Sequence, residues 1–270
     1  MSLSDVPKNQ SLTLLHGHTN ITKKRRVFLE TTGFFLVIAT GISVILISYS
    51  LDFIWAKVLP VRFFYYVLRA PGVIVHECAH MLGCLITGAK IRNVVLFSKA
   101  GGSVTYSPPV IPIIGNVVIS TAPLVCIPLV LTGCTWIFSH YLGCSFPLYP
   151  QALDSADAFL ALGGGILGTF TRNLVVQFNI WFLLYLYLTV SLILSVAPSM
   201  QDIKNAVTGS CILILAAGII LWSQVPWAVN ILDWILRMAG IGFALGLGFG
   251  LTALLVSSPL IIVYIHSPSG

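Results

Sequence analysis

The chain has 270 residues, of which 57% are hydrophobic and only 8% charged, and its mean hydropathy is +0.97. An ordinary soluble domain carries about 25% charged residues. This composition cannot cover a water-facing surface, so it excludes a soluble globular enzyme, a disordered protein and a nucleic-acid-binding protein. Long uncharged intervals separate the charged residues, and a membrane-spanning helix needs about 20 apolar residues. The sequence therefore predicts an all-α polytopic membrane protein embedded in a lipid bilayer.

The N-terminal part of the chain is polar and carries a basic cluster just before the first apolar run. The cluster consists of Lys23, Lys24, Arg25 and Arg26. Such a cluster holds a helix end on the cytoplasmic side, so the net charge of +6 does not indicate nucleic-acid binding. We predict a cytoplasmic tail over residues 1–26 and an integral membrane domain over residues 27–270. The apolar run is too long for a cleaved signal peptide.

Six apolar stretches are predicted to cross the membrane. They are residues 31–51, 63–87, 111–138, 173–196, 207–222 and 241–265. Between the second and third stretches, residues 90–106 alternate in polarity around Gly101 and Gly102, which predicts a short membrane-associated strand or β-hairpin. Residues 140–157 are predicted to form a loop, and residues 163–168 a glycine-rich connector that leads into the fourth crossing.

The basic residues predict an orientation. With six crossings and the N-terminus inside, more of them fall on the cytoplasmic side than outside. The inside set is Lys8, the four-residue cluster, Lys90, Arg92, Lys99 and Lys204, and the outside set is Lys57, Arg62, Arg69 and Arg172. Because cytoplasmic loops carry an excess of Lys and Arg, this asymmetry favours a cytoplasmic N-terminus. The sequence does not indicate an oligomeric state.

Three other patterns are interpreted as structural. Gly242, Gly246 and Gly250 repeat every four residues, which predicts close helix–helix packing. Asp233 and Arg237 are four residues apart and predict a surface ion pair on a helix. The six cysteines lack the C-x-x-C spacing of metal sites and are interpreted as small apolar residues inside helices.

The second apolar stretch contains the motif that indicates chemistry, His76-Glu77-Cys78-Ala79-His80. Histidines four residues apart lie on one helix face, so both imidazoles reach one zinc ion, and the glutamate lies beside the open coordination position. From the composition, this H-E-x-x-H pattern is expected by chance about once in a thousand such chains. The alternative, two core histidines that hydrogen-bond between helices, leaves Glu77 unexplained.

Glu77 is the stronger indication of a functional site. An acidic side chain in a membrane-spanning segment costs about 2.5–3.5 kcal/mol, and such residues mark functional sites by default. Glu77 and Asp202 are the two carboxylates predicted to lie that deep. A bound metal ion would offset the burial of each.

A catalytic zinc ion usually has three protein ligands, so a third ligand is expected. The candidates are Asp202, His140, Asp154, Asp157 and Asp233. The predicted side of the membrane favours Asp202, because His140, Asp154 and Asp157 belong to the predicted outside loop. Pro198 is expected to loosen the cytoplasmic end of the fourth crossing and to let the Asp202 carboxylate turn inward. The alternative is a solvated aspartate paired with Lys204.

In these residues the chain resembles the site-2 proteases, a family of intramembrane zinc metalloproteases. The H-E-x-x-H motif lies in an apolar helix, and residues 100–104 (AGGSV) resemble the family's glycine-containing membrane-associated strand. Residues 121–124 (TAPL) resemble its small-Pro-Leu step, and residues 195–202 (SVAPSMQD) resemble its Asn-x-x-Pro followed by aspartate. The resemblance covers residues 73–205, about half of the chain, and places a catalytic core at about 71–205.

The chain departs from the family pattern at three positions, as a divergent member would. Ser195 stands where the family usually has asparagine, Asp202 follows Pro198 by four residues instead of five, and Ile203 replaces a frequent glycine. The chain also lacks an accessory peptide-binding domain.

The resemblance implies one zinc ion per chain, bound by His76, His80 and Asp202, with Glu77 as the catalytic base. The implied substrate is a transmembrane protein whose peptide bonds are hydrolysed in or near the bilayer, at an active site toward the cytoplasmic side of the cell membrane. Two further roles are expected in substrate binding. An unwound substrate strand is expected to pair with Gly101, Gly102, Ser103 and Val104, and the Ser195 hydroxyl is expected to donate a hydrogen bond to the oxyanion.

Two alternatives remain open. A non-proteolytic membrane zinc-binding protein or transporter would use the same ligands, but it would need polar residues along a path across the bilayer. A catalytically inactive scaffold could also retain the motif.

Overall fold

A computed structural model describes residues 34–98, 101–146 and 156–266. These residues form seven helices, a π-helical turn and one hairpin. In chain order they are α1 (Phe34–Val58), α2 (Arg62–Thr87), β1 (Ile91–Val95), β2 (Ser103–Tyr106), α3 (Pro112–Tyr141), α4 (Ala156–Phe170) with a π-helical continuation (Thr171–Val176), α5 (Ile180–Leu194), α6 (Met200–Ser223) and α7 (Pro226–His266). The predicted tail, including the basic cluster, lies outside the described residues.

Within the described part of the chain, six helices are long and apolar enough to cross a membrane. They are α1, α2, α3, α4 with its continuation, α6 and α7. The predicted helical multi-pass membrane fold is therefore confirmed, as is the small antiparallel hairpin between the second and third crossings. The set of helices differs from the prediction, however, because α5 has only 15 residues.

The prediction was wrong between residues 163 and 179. The glycine-rich segment at 163–168 is part of α4 and not a connector, and the expected crossing at 173–196 is interrupted before α5. Phe178 adopts a left-handed conformation (φ 36°), and the Asn179 side chain caps α5 by accepting a hydrogen bond from the Trp181 N–H at 3.0 Å. The break was missed because apolar residues continue on both sides of it.

Polar side chains join the end of α3 to the start of α5. The Asn173 side chain exchanges two hydrogen bonds with the Ser145 backbone, at 2.9 and 2.7 Å, and the Asn179 amide donates to the Leu142 carbonyl at 2.7 Å. The end of α3 and the start of α5 therefore lie next to each other. Helix α5 then takes the chain back toward the end of the molecule where α2 ends.

The connection between α1 and α2 is much shorter than predicted. Helix α1 continues to Val58 instead of ending at residue 51, and α2 begins at Arg62. Arg69, which was assigned to the outside set, and Asp52, which follows the predicted first crossing, lie in facing helices and form an ion pair at 3.3 Å. The pairing explains how the two apolar helices accommodate these charges.

A polar contact compensates the proline in α2. Pro71 has no N–H, so the carbonyl of Val67 loses its helical partner. The hydroxyl of Tyr187 in α5 donates to this carbonyl at 2.9 Å, and one turn later the Ser191 hydroxyl accepts from the Gly72 N–H at 3.0 Å. Gly72 is required at this crossing, because a Cβ there would collide with the Ser191 backbone.

The hairpin folds back onto α2 and α3. Helix α2 ends at Gly88, whose left-handed conformation (φ 70°) lets the chain turn into β1. The two strands pair with Val94 opposite Val104, and Val104 packs on buried Cys84 and Ile119. The hairpin is therefore held close to the second half of α2.

Two of the three α7 glycines predicted to pack closely, Gly246 and Gly250, pack against α1, whereas a Cβ added at Gly242 would meet no atom within 4 Å. Gly246 lies against Val44 and Gly250 against Ile47, so these two helices run parallel at close distance. The Asp233–Arg237 ion pair is also confirmed, with the guanidinium Nε 2.7 Å from the carboxylate on an exposed surface.

Candidate metal centre

His76 and His80 occupy one face of α2 and are both buried, at 8% and 6% exposure. Their Nε2 atoms are 3.0 Å apart. The Nδ1 atom of His76 lies 2.5 Å from the Ser195 carbonyl oxygen, and that of His80 lies 2.8 Å from the Ile119 carbonyl oxygen.

The carbonyl partners determine the protonation pattern of the rings. A carbonyl oxygen can only accept a hydrogen bond, so each Nδ1 carries a proton and donates a hydrogen bond to it. In a neutral imidazole the lone pair is then on Nε2. The lone pairs of His76 and His80 converge on one point, where a cation between them is favourable. Metal-binding histidines are oriented in this manner by a hydrogen bond from the other ring nitrogen.

Asp202 completes the cluster from α6. Its Oδ1 lies 3.4 Å from Nε2 of His80 and its Oδ2 lies 3.9 Å from Nε2 of His76. The ligand atoms of the three residues all lie within 4.8 Å of one another. The structure therefore brings together His76, His80 and Asp202, the three residues that the sequence predicts as zinc ligands.

The spacing of these atoms fits a zinc ion. Zinc bonds of about 2.0–2.1 Å to nitrogen or oxygen, in tetrahedral geometry, separate neighbouring ligand atoms by about 3.3 Å. The separations of 3.0 Å between the two Nε2 atoms and of 3.4 Å between His80 Nε2 and Asp202 Oδ1 lie on either side of this value. Two imidazoles and one carboxylate also form the donor set of several catalytic zinc sites, which keep the fourth position open.

Asp202 lies in a different local structure from the one predicted. It is in the first turn of α6 and not at the loosened end of the preceding helix, which ends at Leu194. Ser199 is the N-cap of α6, and its N–H and hydroxyl both donate to Asp202 Oδ2, at 2.8 and 2.6 Å. Among the described residues Asp202 makes no ion pair with Lys204, the partner expected for a solvated helix end.

The other candidate ligands lie apart from this cluster. Asp157 is exposed at the start of α4, and His140 is exposed at the end of α3 with its ring hydrogen-bonded to the Trp136 carbonyl. Asp233 is engaged by Arg237. Asp154 lies outside the described residues. In the part of the chain that the structure describes, no other group of three ligating side chains is close enough to bind a metal ion.

Glu77 lies beside the cluster and is only 6% exposed. It lines a cavity of about 190 Å³, together with His76, Gly101, Gly102 and Ser195. A cavity of this size holds several water molecules. Gly102 lies directly on the glutamate, since a Cβ added at Gly102 would be 2.7 Å from Glu77 Oε1.

The predicted substrate-binding strand is only partly in the cavity. Gly101 and Gly102 line it, whereas Ser103 and Val104 belong to β2 and pair with β1. In the described residues no strand pairs with the other edge of β2. That edge starts next to Glu77, which lies against Gly102.

Ser195 contributes to the site through two groups. Its carbonyl oxygen orients His76, and its side chain is buried and lines the cavity. The hydroxyl oxygen has no hydrogen-bond partner among the described residues. A buried hydroxyl without a partner at a cavity wall is available to a bound ligand.

The sequence prediction missed Tyr49, Asp52 and Arg69, which line the same cavity. Asp52 also accepts a hydrogen bond from the Tyr65 hydroxyl at 2.7 Å. Asp52 is thus a third carboxylate within the helices, in addition to Glu77 and Asp202. Its side chain is 25% exposed. The i, i+4 spacing of Tyr65 and Arg69 was an available signal, whereas nothing in the sequence distinguishes Tyr49.

No family model, no curated protein and no solved structure matches the chain.

Proposed function

We propose that this chain is an intramembrane zinc metalloprotease of the site-2 protease type, with one zinc ion per chain. It hydrolyses peptide bonds in or near the transmembrane segments of other membrane proteins. The observation that carries the proposal is the convergence of His76, His80 and Asp202 on one point, beside the buried Glu77, which together with His76 lines a cavity of about 190 Å³.

His76, His80 and Asp202 would hold the zinc ion and leave one position facing the cavity. When bound, zinc lowers the pKa of a water ligand toward neutrality and polarises the carbonyl of the scissile bond. The protein presents this position in a site where the ligating side chains are oriented in advance by Ser195, Ile119 and Ser199.

Glu77 acts as the general base and then as the general acid. It lines the same cavity as His76, so its carboxylate lies beside the metal position without being one of the three converging groups. It takes a proton from the attacking water and delivers it to the nitrogen of the leaving amine. This role explains why α2 carries an acidic residue where an apolar one would be more stable.

Ser195 and the residues before β2 bind the substrate backbone. The Ser195 hydroxyl, which has no partner among the described residues, donates to the oxyanion that forms at the scissile carbonyl. A helical substrate must unwind locally before it reacts, and its unpaired backbone groups are costly in lipid. The free edge of β2 satisfies them by strand addition, starting at Gly101 and Gly102.

The proposed location is the cell membrane, with the active site toward the cytoplasm. Lys90, Arg92 and Lys204 lie near the ends of helices that meet at the metal centre. Basic residues of this kind are retained on the cytoplasmic side.

The proposal is tested on the purified full-length chain in detergent or nanodiscs. We expect about one zinc ion per chain, cleavage of a test transmembrane substrate, loss of cleavage after chelation and recovery with added zinc. A chain that binds zinc but cleaves no substrate of a broad transmembrane panel would contradict the protease and favour the zinc-binding protein or transporter. A chain that binds no zinc would contradict both.

A further inference from the structure

The turn that precedes Asp202 is held by α1. The Ala197 N–H donates to the Ser48 hydroxyl at 3.0 Å, and the Tyr49 hydroxyl donates to the Pro198 carbonyl. Ser48 is fully buried, and Tyr49 is at the wall of the metal-centre cavity. Two consecutive residues of α1 therefore contact two consecutive residues of the turn.

These contacts provide hydrogen-bond partners for backbone groups that the two neighbouring helices leave unpaired. Helix α5 ends at Leu194 and α6 begins at Met200, so the turn between them belongs to neither helix. Pro198 has no N–H of its own to anchor the chain. Backbone groups without hydrogen-bond partners are costly where they are shielded from water, and in this partly buried turn Ser48 and Tyr49 supply the partners.

The same turn orients the third ligand. Ser199, the residue after Pro198, donates to Asp202 Oδ2 with both its N–H and its hydroxyl. Oδ2 therefore already accepts two hydrogen bonds from Ser199, and it lies 3.9 Å from His76 Nε2. Oδ1 lies 3.4 Å from His80 Nε2. Asp202 is thus oriented to bind a metal ion through Oδ1 alone.

We propose that α1 is part of the metal centre. Ser48 and Tyr49 are positioning residues that fix the 197–199 turn, and through Ser199 they hold Asp202 as a monodentate ligand. The inference rests on the metal site of the proposed function, to which it adds a helix outside the H-E-x-x-H and Pro–Asp segments. His76 and His80 are oriented instead by the carbonyl of Ser195, the C-cap of α5, and by that of Ile119 in α3, whereas the α1 contacts are made to residues 197 and 198, next to Ser199.

The test measures metal affinity and metal geometry on the full-length protein, independently of cleavage. The variants are Ser199→Ala, Ser48→Ala and Tyr49→Phe. The zinc dissociation constant is obtained by competition with a chromophoric chelator, and Co²⁺ absorption reports whether the site is still tetrahedral. The control is Ser257→Ala, which removes the hydrogen bond from the Trp55 indole to α7 at 2.8 Å, another buried contact of α1 that lies away from the turn.

Ser199→Ala is expected to raise the zinc dissociation constant by about 10- to 100-fold, as loss of a residue that orients a ligand does. Ser48→Ala and Tyr49→Phe are each expected to raise it by about three- to tenfold and to weaken the Co²⁺ absorption. Ser257→Ala is expected to lower thermal stability while leaving the zinc dissociation constant unchanged.

Two results would overturn the role of α1. One is wild-type zinc affinity in both Ser48→Ala and Tyr49→Phe, and the other is an equal loss of affinity in Ser257→Ala, which would indicate general loosening of α1. Asp202→Ala distinguishes these results from failure of the metal site itself. If Asp202→Ala binds zinc normally, the proposed ligand set is wrong. If it loses zinc while the α1 variants do not, only the positioning role is wrong.

Discussion

The backbone carbonyl oxygen of Ser195 lies 2.5 Å from Nδ1 of His76, while the hydroxyl of the same residue lacks a partner in the described part of the chain. The contact to His76 uses the main chain, so it persists whatever side chain stands at position 195. Orientation of the metal ligand and stabilisation of the oxyanion can therefore be separated by mutating the side chain alone.

Ser195→Ala is expected to retain zinc and to lower kcat by on the order of 100-fold, because it removes one oxyanion donor. The measurement is kcat on a transmembrane substrate, with zinc content determined on the same preparation. A variant with wild-type kcat would show that the hydroxyl takes no part in the reaction. Loss of zinc would instead show that the side chain supports the contact to His76.

Glu77→Gln is expected to abolish cleavage while zinc occupancy stays near one per chain. Glutamine has nearly the same size, but it cannot accept a proton from water, and Glu77 is not among the three converging ligands. Cleavage and zinc content of the purified variant check this. Cleavage at the wild-type rate would refute the protease assignment.

Asp202→Ala is expected to lower zinc affinity steeply and to abolish activity, because only two ligands remain. Asp157→Ala is the matched control, since this aspartate is in the first turn of its own helix, α4, but is exposed and away from the cluster. Zinc dissociation constants of both variants are compared. Zinc retained in Asp202→Ala and lost in Asp157→Ala would reverse the choice of ligand.

Gly102→Ala is expected to lower kcat/KM by on the order of 100-fold with zinc retained. The added Cβ would meet Glu77 Oε1 at 2.7 Å, and a displacement of about 1 Å at a catalytic group has a cost of this size. Gly163→Ala serves as the control, because a Cβ at Gly163 meets no atom within 4 Å. Equal activity in the two variants would mean that Gly102 does not position the glutamate or the substrate.

Arg69→Met is expected to destabilise the protein by about 1–3 kcal/mol, because it leaves the Asp52 carboxylate partly buried without its cation. The double variant Asp52→Asn with Arg69→Met is expected to recover part of this loss. Thermal unfolding in a fixed detergent compares the two with wild type. If the double variant is less stable than Arg69→Met, the ion pair is not the source of the effect.

The part of the site that the sequence predicts is the part determined by short-range geometry. Histidines four residues apart must share a helix face, and His76 and His80 do. Asp202 is 122 positions further along the chain than His80, so spacing alone does not place it. It was chosen from the predicted membrane side and from Pro198, and the resemblance around Pro198 supported the choice. Its cap by Ser199 follows a local rule, that of the capping box, and could have been predicted from the sequence.

The errors have a common physical cause. In a helix of a soluble protein, the alternation of polar and apolar faces reveals the helical period. A helix in lipid is apolar on every side, so its sequence shows neither which face is buried nor where the helix begins and ends. The break at Gln177–Asn179 is therefore hidden, as is the helical state of Gly163 and its neighbours. Asp52 and Arg69 were not predicted to pair because each charge was considered alone, whereas together they are tolerated inside the bundle.

Three contacts between α2 and α5 fix the position of one helix along the other. Tyr187, Ser191 and Ser195 are spaced one helical turn apart, and each engages a polar group of α2. A shift of α5 by a single residue would misalign all three contacts at once, and the next matching alignment is a full turn away, about 5.4 Å. The three contacts therefore oppose sliding of α5 along α2. In the protease proposed above, a substrate is expected to enter between other helices.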